Sequence, residues 1–281
     1  MFNLFIENNY TFLVILMICA AIPVGFCAGL FGIGGGLISV PFLFFIFETL
    51  NIEKQYLMHL TVGTAFSITI MTSFVSVFTH NKHGVVDFNL LKSFGIFVVL
   101  GVICGTLLAA FLKTKSLVLM FSIIVFLFGA YLLLVQENKN KNKIKFKTMP
   151  KIISGFLSGF VSAPMGITGA MINVPMLKYF GYPIKKAIGT AAAVGFIISL
   201  FGAIGFFLSG IILNAKLPLS TGFINIPAFI IFVPITMFMA RVGANTVHSM
   251  NKVKIQRLFG IFLYVIAVSY THLTLPTNRE V

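Results

Sequence analysis

Tryptophan is absent from this chain of 281 residues, cysteine occurs only 3 times, and aspartate and glutamate together only 6 times. Each scarcity removes a class of function. Cys19, Cys27 and Cys104 all lie in apolar runs with no CxxC spacing and no partner histidine, so neither a disulfide framework, a zinc site nor thiol redox chemistry has support. The spacing predicts small buried hydrophobes at all three. With so few carboxylates there are no paired aspartates, and HExxH and GxSG are also missing, so the chain is predicted to be no enzyme and to carry neither metal nor cofactor. Gly32, Gly34 and Leu37 fall short of the third glycine of GxGxxG, and no lysine follows as in a phosphate loop, which argues against nucleotide binding. Without tryptophan, anchoring at a membrane interface falls to Tyr10, Tyr56, Tyr182 and their lysine neighbours.

What is abundant is apolar surface. Hydrophobic residues make up 58% of the chain and charged ones 9%, with a mean hydropathy of +1.04, a composition outside the range of soluble domains. Apolar stretches run over 11–31, 37–50, 57–80, 90–112, 116–136, 151–180, 184–212, 222–248 and 255–270. Several exceed the ~20 residues that cross a bilayer as helix. Segments such as VLGVICGTLLAAFL are apolar on every face, unlike the alternating strands of a membrane barrel. The expected fold class is therefore an all-α polytopic membrane protein with about eight apolar spans. The first run exceeds a signal-peptide core and Met1 to Tyr10 offers no Lys or Arg, so it reads as a retained helix.

The formal net charge of +14 lies in the loops, where lipid topology accounts for it better than nucleic acid does. Residues 137–151, ENKNKNKIKFKTMPK, carry six lysines near the middle of the chain and read as a cytoplasmic linker. The organisation predicted is a first transmembrane repeat over 1–136, a basic linker over 137–150, a second repeat over 151–270 and a polar tail over 271–281. Walking outward from the linker, a broken segment at 151–180 that makes no net crossing moves Lys185, Lys186, Lys252, Lys254 and Arg257 inside. Only Lys54, Lys113, Lys115 and Lys216 then stay outside. Each half becomes a broken or re-entrant segment followed by three crossings, which makes the two halves inverted repeats in a cell (inner) membrane.

The duplication is visible in the residues. Residues 29–43 read GLFGIGGGLISVPFL and residues 163–177 read APMGITGAMINVPML, a shift of 134 positions that aligns Gly32 with Gly166, Ile33 with Ile167, Gly35 with Gly169, Ile38 with Ile172 and Pro41 with Pro175. Matching backbone breaks in two hydrophobic halves point to a transporter with its site where the broken helices meet. Irregular backbone at membrane depth is tolerated only where protein or a cavity satisfies it. Gly32, Gly34, Gly35 and Gly36 read as one break, and Gly166, Thr168 and Gly169 as the other, with Pro41 and Pro175 as helix-break markers. A helix restarting after each break turns its free N–H groups and positive dipole end toward the gap, where an anion fits. Ser39 and, in the second copy, Thr168 and Asn173 add side-chain donors; close packing through small residues is the competing explanation for the glycines.

A second repeated element, TVGTAFSITIMTSF at 61–74 and AIGTAAAVGFIISL at 187–200, pairs Gly63 with Gly189 and Thr64 with Thr190, whose hydroxyls line the same cavity or back-bond within their helices. Ser67, Thr69, Thr72, Ser73 and Ser76 turn the first of these helices away from lipid. Arg241 lies inside the long apolar run IPAFIIFVPITMFMARVGANTV, which makes it either an anion ligand or a snorkelling cation. His59, His80, His83 and His248 sit near span ends, where interfacial hydrogen bonding is expected and His80 has a place in a proton path.

At these residues the chain resembles the TauE/SafE sulfite exporter family, also called TSUP. The resemblance rests on GLFGIGGGLISVP, HLTVGTAF, HGVVDF, GITGAMINVP and AIGTAAAV and covers nearly the whole length. It implies an inner-membrane carrier of two related halves that moves sulfite, thiosulfate, sulfoacetate or a similar sulfur anion by alternating access. The predicted partners are a small anion, the lipid bilayer and a coupling ion, proton or sodium, with no nucleic acid and no assignment of oligomeric state. A carrier of another small anion such as a carboxylate, and a non-transport membrane assembly protein, stand as alternatives. Ala170 departs from the family's glycine pattern, and the tail from Thr271 turns abruptly polar.

Overall fold

The computed structural model describes residues 2–134 and 148–251, together with residues 258 and 261. Nearly all of the linker expected over 137–150, the tail over 271–281, and Lys252, Lys254 and Arg257 lie outside the described residues. What is described is helical apart from one two-stranded hairpin. In chain order α1 spans Phe2–Phe31, α2 Gly36–Thr49, α3 Leu57–Lys82, α4 Phe88–Phe111, α5 Thr114–Leu134, α6 Thr148–Ser162, a single 3-10 turn Ala163–Met165, α7 Ala170–Tyr179, α8 Ile184–Ile212 and α9 Ile226–Ser249. The hairpin strands β1, Ser220–Thr221, and β2, Ile224–Asn225, pair antiparallel just before α9.

Among the described residues five helices are long and apolar enough to cross a membrane: Thr11–Phe31 within α1, and α3, α4, α8 and α9. Gly36–Thr49 and Thr114–Leu127 are shorter apolar helices. The outer faces are apolar too, with Phe111 at 87% and Phe238 at 69% exposure, as lipid contact demands. Two of the cysteines join that surface: Cys19 and Cys104 are exposed and Cys27 is half-buried, which corrects the expectation that all three are buried. The reason is that in a bilayer the outer face of a helix is as apolar as its inner face, so hydrophobicity alone does not say which way a residue points.

The interior carries the polarity instead. Helix α3 packs against α1, α2, α8 and α9, and Ser67, Thr69, Thr72, Ser73 and Ser76 are all buried on it, as their hydroxyls led us to expect. Apolar helices gain no hydrophobic free energy by meeting in lipid, so close backbone approach must drive their association. Small residues supply it at two places. On α1 and α9, a Cβ at Gly29 would strike the Ala240 carbonyl and one at Gly243 would strike that of Phe26. On α4 and α6, a Cβ at Gly101 would strike the Phe156 carbonyl and one at Gly159 that of Val98. The helix that precedes each break, α1 or α6, thus packs on a helix of the other repeated segment, α9 or α4.

Candidate functional site

Both sequence breaks are breaks in the structure. Helix α1 stops at Phe31 and α2 starts at Gly36; the 3-10 turn stops at Met165 and α7 starts at Ala170. Aligned glycines carry the same left-handed backbone: φ is +67° at Gly32 and +70° at Gly166, and +99° at Gly35 and +69° at Gly169. A side chain is strained at such angles, which is why these positions repeat. Gly35 and Gly169 are the N-caps of α2 and α7. Each carbonyl accepts from two amides, Ile38 and Ser39 onto Gly35 at 3.0 and 2.9 Å, Ile172 and Asn173 onto Gly169 at 3.0 and 2.7 Å. The amides of Gly36 and Leu37, and of Ala170 and Met171, occupy the first turn, where a helix offers no acceptor of its own.

The prolines are not part of the breaks. Pro41 and Pro175 lie inside α2 and α7, which corrects their reading as break markers. By those positions the helix is already running, and the missing N–H costs one interior bond without stopping it. The reversal of the chain needs positive φ, which proline cannot adopt.

The two breaks touch. A Cβ on Gly36 would collide with the carbonyl oxygen of Gly166, and the Thr168 hydroxyl donates to the carbonyl of Ile33. Around this junction the hydroxyls are exchanged between equivalent positions. A Cβ on Gly34 would lie 2.7 Å from the Thr69 methyl and 2.6 Å from the Ser73 hydroxyl, whereas on the other side a Cβ on Gly195 would lie 3.0 Å from Cβ of Thr168. Gly34 aligns with Thr168 and Thr69 with Gly195, so one half presents a threonine from the long helix and the other from the break. Residues 31–40 and 163–171 are all buried, so neither break is open to solvent in this conformation.

Several polar atoms here have no protein partner. They are the hydroxyls of Thr69, Ser73 and Ser76 on α3, those of Ser158 and Ser162 on α6, and both amide atoms of Asn173 on α7. Ser158 Oγ and Asn173 Nδ2 would lie 2.8 and 2.9 Å from a Cβ on Gly169, while the matching place beside Gly35 is walled by Val24 and Ala28. The second break is therefore the more polar. Ser39, the counterpart of Asn173, makes a long 3.5 Å contact to the Gly36 carbonyl. No charged residue occurs in either repeated segment, 29–43 or 163–177.

Thr64 and Thr190 have another task. Thr64 accepts from the Asn225 amide at 2.9 Å and Thr190 from the Asp87 amide at 3.1 Å. Asn225 caps α9 through Ala228 and Asp87 caps α4 through Leu90, each at 3.0 Å. A Cβ on Gly63 would strike the Phe223 carbonyl, and one on Gly189 would lie 3.0 Å from that of Val85. Each Gly-Thr pair thus docks the loop before a helix of the other half. The matching loops read HGVVDF at 83–88 and TGFINI at 221–226, with positive φ at both Gly84 and Gly222. Sequence reading missed this third repeat because only one glycine is identical. It also missed Ser158 and Ser162, whose counterparts Val24 and Ala28 are apolar. Arg241 is exposed on α9 and does not share the buried surroundings of the breaks.

Asp87 also binds Lys186 at 3.2 Å. Partial burial works against its ionisation, but the Leu90 amide and the Lys186 ammonium outweigh it and hold the carboxyl below its ordinary value. The histidines sit at helix ends as expected: His59 in the first turn of α3, His80 in its last, His83 just past it and His248 in the last turn of α9; His59 and His80 are buried, and His59 Nε2 lies 3.0 Å from the Ala109 carbonyl.

Residues 16–270 match the family described as sulfite exporter TauE/SafE, so the match ends just before the polar tail. A protein of Haemophilus influenzae named "probable membrane transporter protein" is 30% identical over 263 residues, covering 92% of this chain and 98% of its own length. One of Methanocaldococcus jannaschii with a similar name is 28% identical, covering 85% of this chain and 88% of its own. A third, from Bacillus subtilis, is 24% identical over 70% of this chain and 79% of its own length. No solved structure matches the chain.

Proposed function

From the premise that this chain belongs to the sulfite exporter TauE/SafE family of multi-pass membrane transporters, we propose that it is a secondary carrier of a small sulfur-containing anion. Sulfite, thiosulfate and organosulfonates are the candidate class, and the anion binds between the starts of α2 and α7. The observation that carries this reading is the meeting of two left-handed glycine caps beside buried polar atoms that have no protein partner. Each helix start contributes up to about 2 kcal/mol to a partly buried anion. Without a fixed cation the site holds its ligand weakly enough to release it. Gly32, Gly34, Gly35, Gly36, Gly166 and Gly169 shape the cradle, Thr168 ties the two breaks, and Asn173 with Ser158 supplies donors. Thr64 and Thr190 are positioning residues. Arg241 is assigned no direct contact and serves the lipid-facing side.

The reciprocal packing of α1 on α9 and α4 on α6 supports two related halves, read here as inverted repeats with about eight apolar passes, that rock about the junction. The buried breaks correspond to an occluded stage of alternating access. Uptake into proteoliposomes containing only this protein tests the reading, with sulfite, thiosulfate, sulfate, sulfoacetate and a dicarboxylate side by side. Saturable movement of a sulfur anion is expected. Movement of the dicarboxylate alone would reassign the solute, and no movement by folded protein would end the carrier reading.

A further inference from the structure

Beside the first break a chain of three imidazoles runs inward. His83 is exposed and stacks on the half-buried His248, with ring centroids 3.9 Å apart. His248 Nε2 lies 3.0 Å from Nδ1 of His80, which is fully buried, and His80 Nε2 lies 3.0 Å from the carbonyl oxygen of Gly29. Gly29 belongs to the last turn of α1, about 5 Å of helix rise before Gly32. Its carbonyl is one of the end groups that α1 itself leaves unpaired. We propose that the His80–His248 pair is a proton-binding site at the C-terminal end of α1 and that its proton is carried together with the anion. This rests on the carrier reading above and names its coupling ion.

The hydrogen bonds dictate how the proton is held. A carbonyl only accepts, so Nε2 of His80 carries a hydrogen, and in the neutral pair Nδ1 of His80 accepts from Nε2–H of His248. A proton arriving at Nδ1 of His248 lets that ring pass its Nε2 hydrogen to Nδ1 of His80. His80 is then imidazolium, His248 is neutral with its hydrogen on Nδ1, and both contacts persist with one of them reversed. One proton is gained and no heavy atom has to move. The imidazolium sits at the negative end of α1, which favours a cation, while the anion sits across the break at the positive end of α2. Opposite charges so placed favour the sites being filled together or empty together.

Other groups facing the pair act on the same balance. From α8, Lys185 Nζ donates to the His248 carbonyl at 2.7 Å, and His83 covers the His248 ring from the end of α3. Lys186 is engaged by Asp87, and α1 offers no charged side chain among residues 11–31. The pair joins α3 to α9 and has no repeat-related equivalent. By the alignments that match Thr64 with Thr190 and Asp87 with Asn225, the counterparts of His80 and His248 are Phe206 and Ala110. Fold symmetry therefore does not require it.

The test compares wild type, His80→Gln and His248→Gln in proteoliposomes, using thiosulfate, a dianion across the pH range used, and sulfite. Gln at 80 keeps a donor for the Gly29 carbonyl, and the change at 248 leaves that bond untouched should the first variant fail to fold. An imposed difference of one pH unit is expected to drive wild-type accumulation by up to about tenfold per proton carried. Both variants are expected to keep downhill flux and lose that accumulation. A pH difference that drives nothing in wild type, or drives the variants equally, overturns the proposal. If neither anion moves, the carrier reading fails separately, and the proton site is decided by nitrogen-15 NMR of the histidines in nanodiscs. His80 and His248 changing state in one shared titration between about pH 5 and pH 8 supports it, and a His80 that keeps one tautomer throughout overturns it.

Discussion

Asn173 concentrates the argument for a ligand in one side chain. Both of its amide atoms are buried without a protein partner, a cost that mutational data put at about 1–3 kcal/mol for an unsatisfied polar group. A residue with only a packing role would be replaced by leucine at no loss. Asn173→Ala is accordingly expected to leave the melting temperature unchanged or raised while raising the half-saturation concentration about tenfold, the equivalent of ~1.4 kcal/mol. A lower melting temperature with unaltered flux would mark the asparagine as structural. Gly36 and its counterpart Ala170 give a second contrast. A methyl group on Gly36 meets the Gly166 carbonyl, which is backbone and cannot step aside. Gly36→Ala is expected to destabilise by about 1–3 kcal/mol and to abolish flux, whereas Ala170→Gly changes stability by about 1 kcal/mol or less. Thermal unfolding in detergent compares the two directly. Repeated glycines were readable in the sequence because left-handed backbone at 32, 35, 166 and 169 admits little else. The exposure of Arg241 was not, because a bilayer removes the usual link between apolar sequence and burial.

Among the elements, helix positions followed from apolar length, and both breaks fell where glycine clusters had placed them. Pro41 and Pro175 were misassigned because proline in a repeated motif looks like a terminator, while in α2 and α7 it sits within the running helix. What one-dimensional reading could not supply was the docking of Gly63–Thr64 on the Phe223–Asn225 loop and of Gly189–Thr190 on the Val85–Asp87 loop. These contacts join residues far apart in the chain through single backbone amides and leave little trace in composition. Thr64→Val and Thr190→Val each strand a buried or half-buried amide and are expected to cost about 1–3 kcal/mol, with Thr→Ser retaining most of the stability in a thermal melt. Asp87 adds a pH dependence of known sign. Its carboxyl ionises more readily in the fold than when unfolded, so its contribution is present above the unfolded value of about 3.9 and is lost as pH falls through the lower folded value. The Lys186 side chain is 41% exposed, which screens the pair and keeps its share below about 1 kcal/mol. Wild type and Asp87→Asn should therefore differ in melting temperature near neutral pH and converge in acid; a gap that widens in acid would contradict this.

For the whole molecule, membrane class, duplication and family resemblance were all present in the residues, and the match over 16–270 agrees with that resemblance. Structure adds that the duplicated breaks meet at Gly36 and Gly166 and that Thr168 ties them. It also shows the halves to be unequal, with Ser158 and Asn173 beside the second break where Val24 and Ala28 wall the first. In the carrier proposed above, the reciprocal packing of α1 on α9 and of α4 on α6 would serve the motion and the inequality beside the breaks would serve the solute. The account stands on one measurement, the concentration dependence of sulfur-anion uptake into liposomes that contain only this protein, for wild type and for Asn173→Ala. Saturable uptake by wild type, with half-saturation raised about tenfold in the variant and folding preserved, is the predicted result. Folded wild-type protein that moves none of the sulfur anions, or a variant with unchanged half-saturation, would contradict the placement of the site between the two breaks.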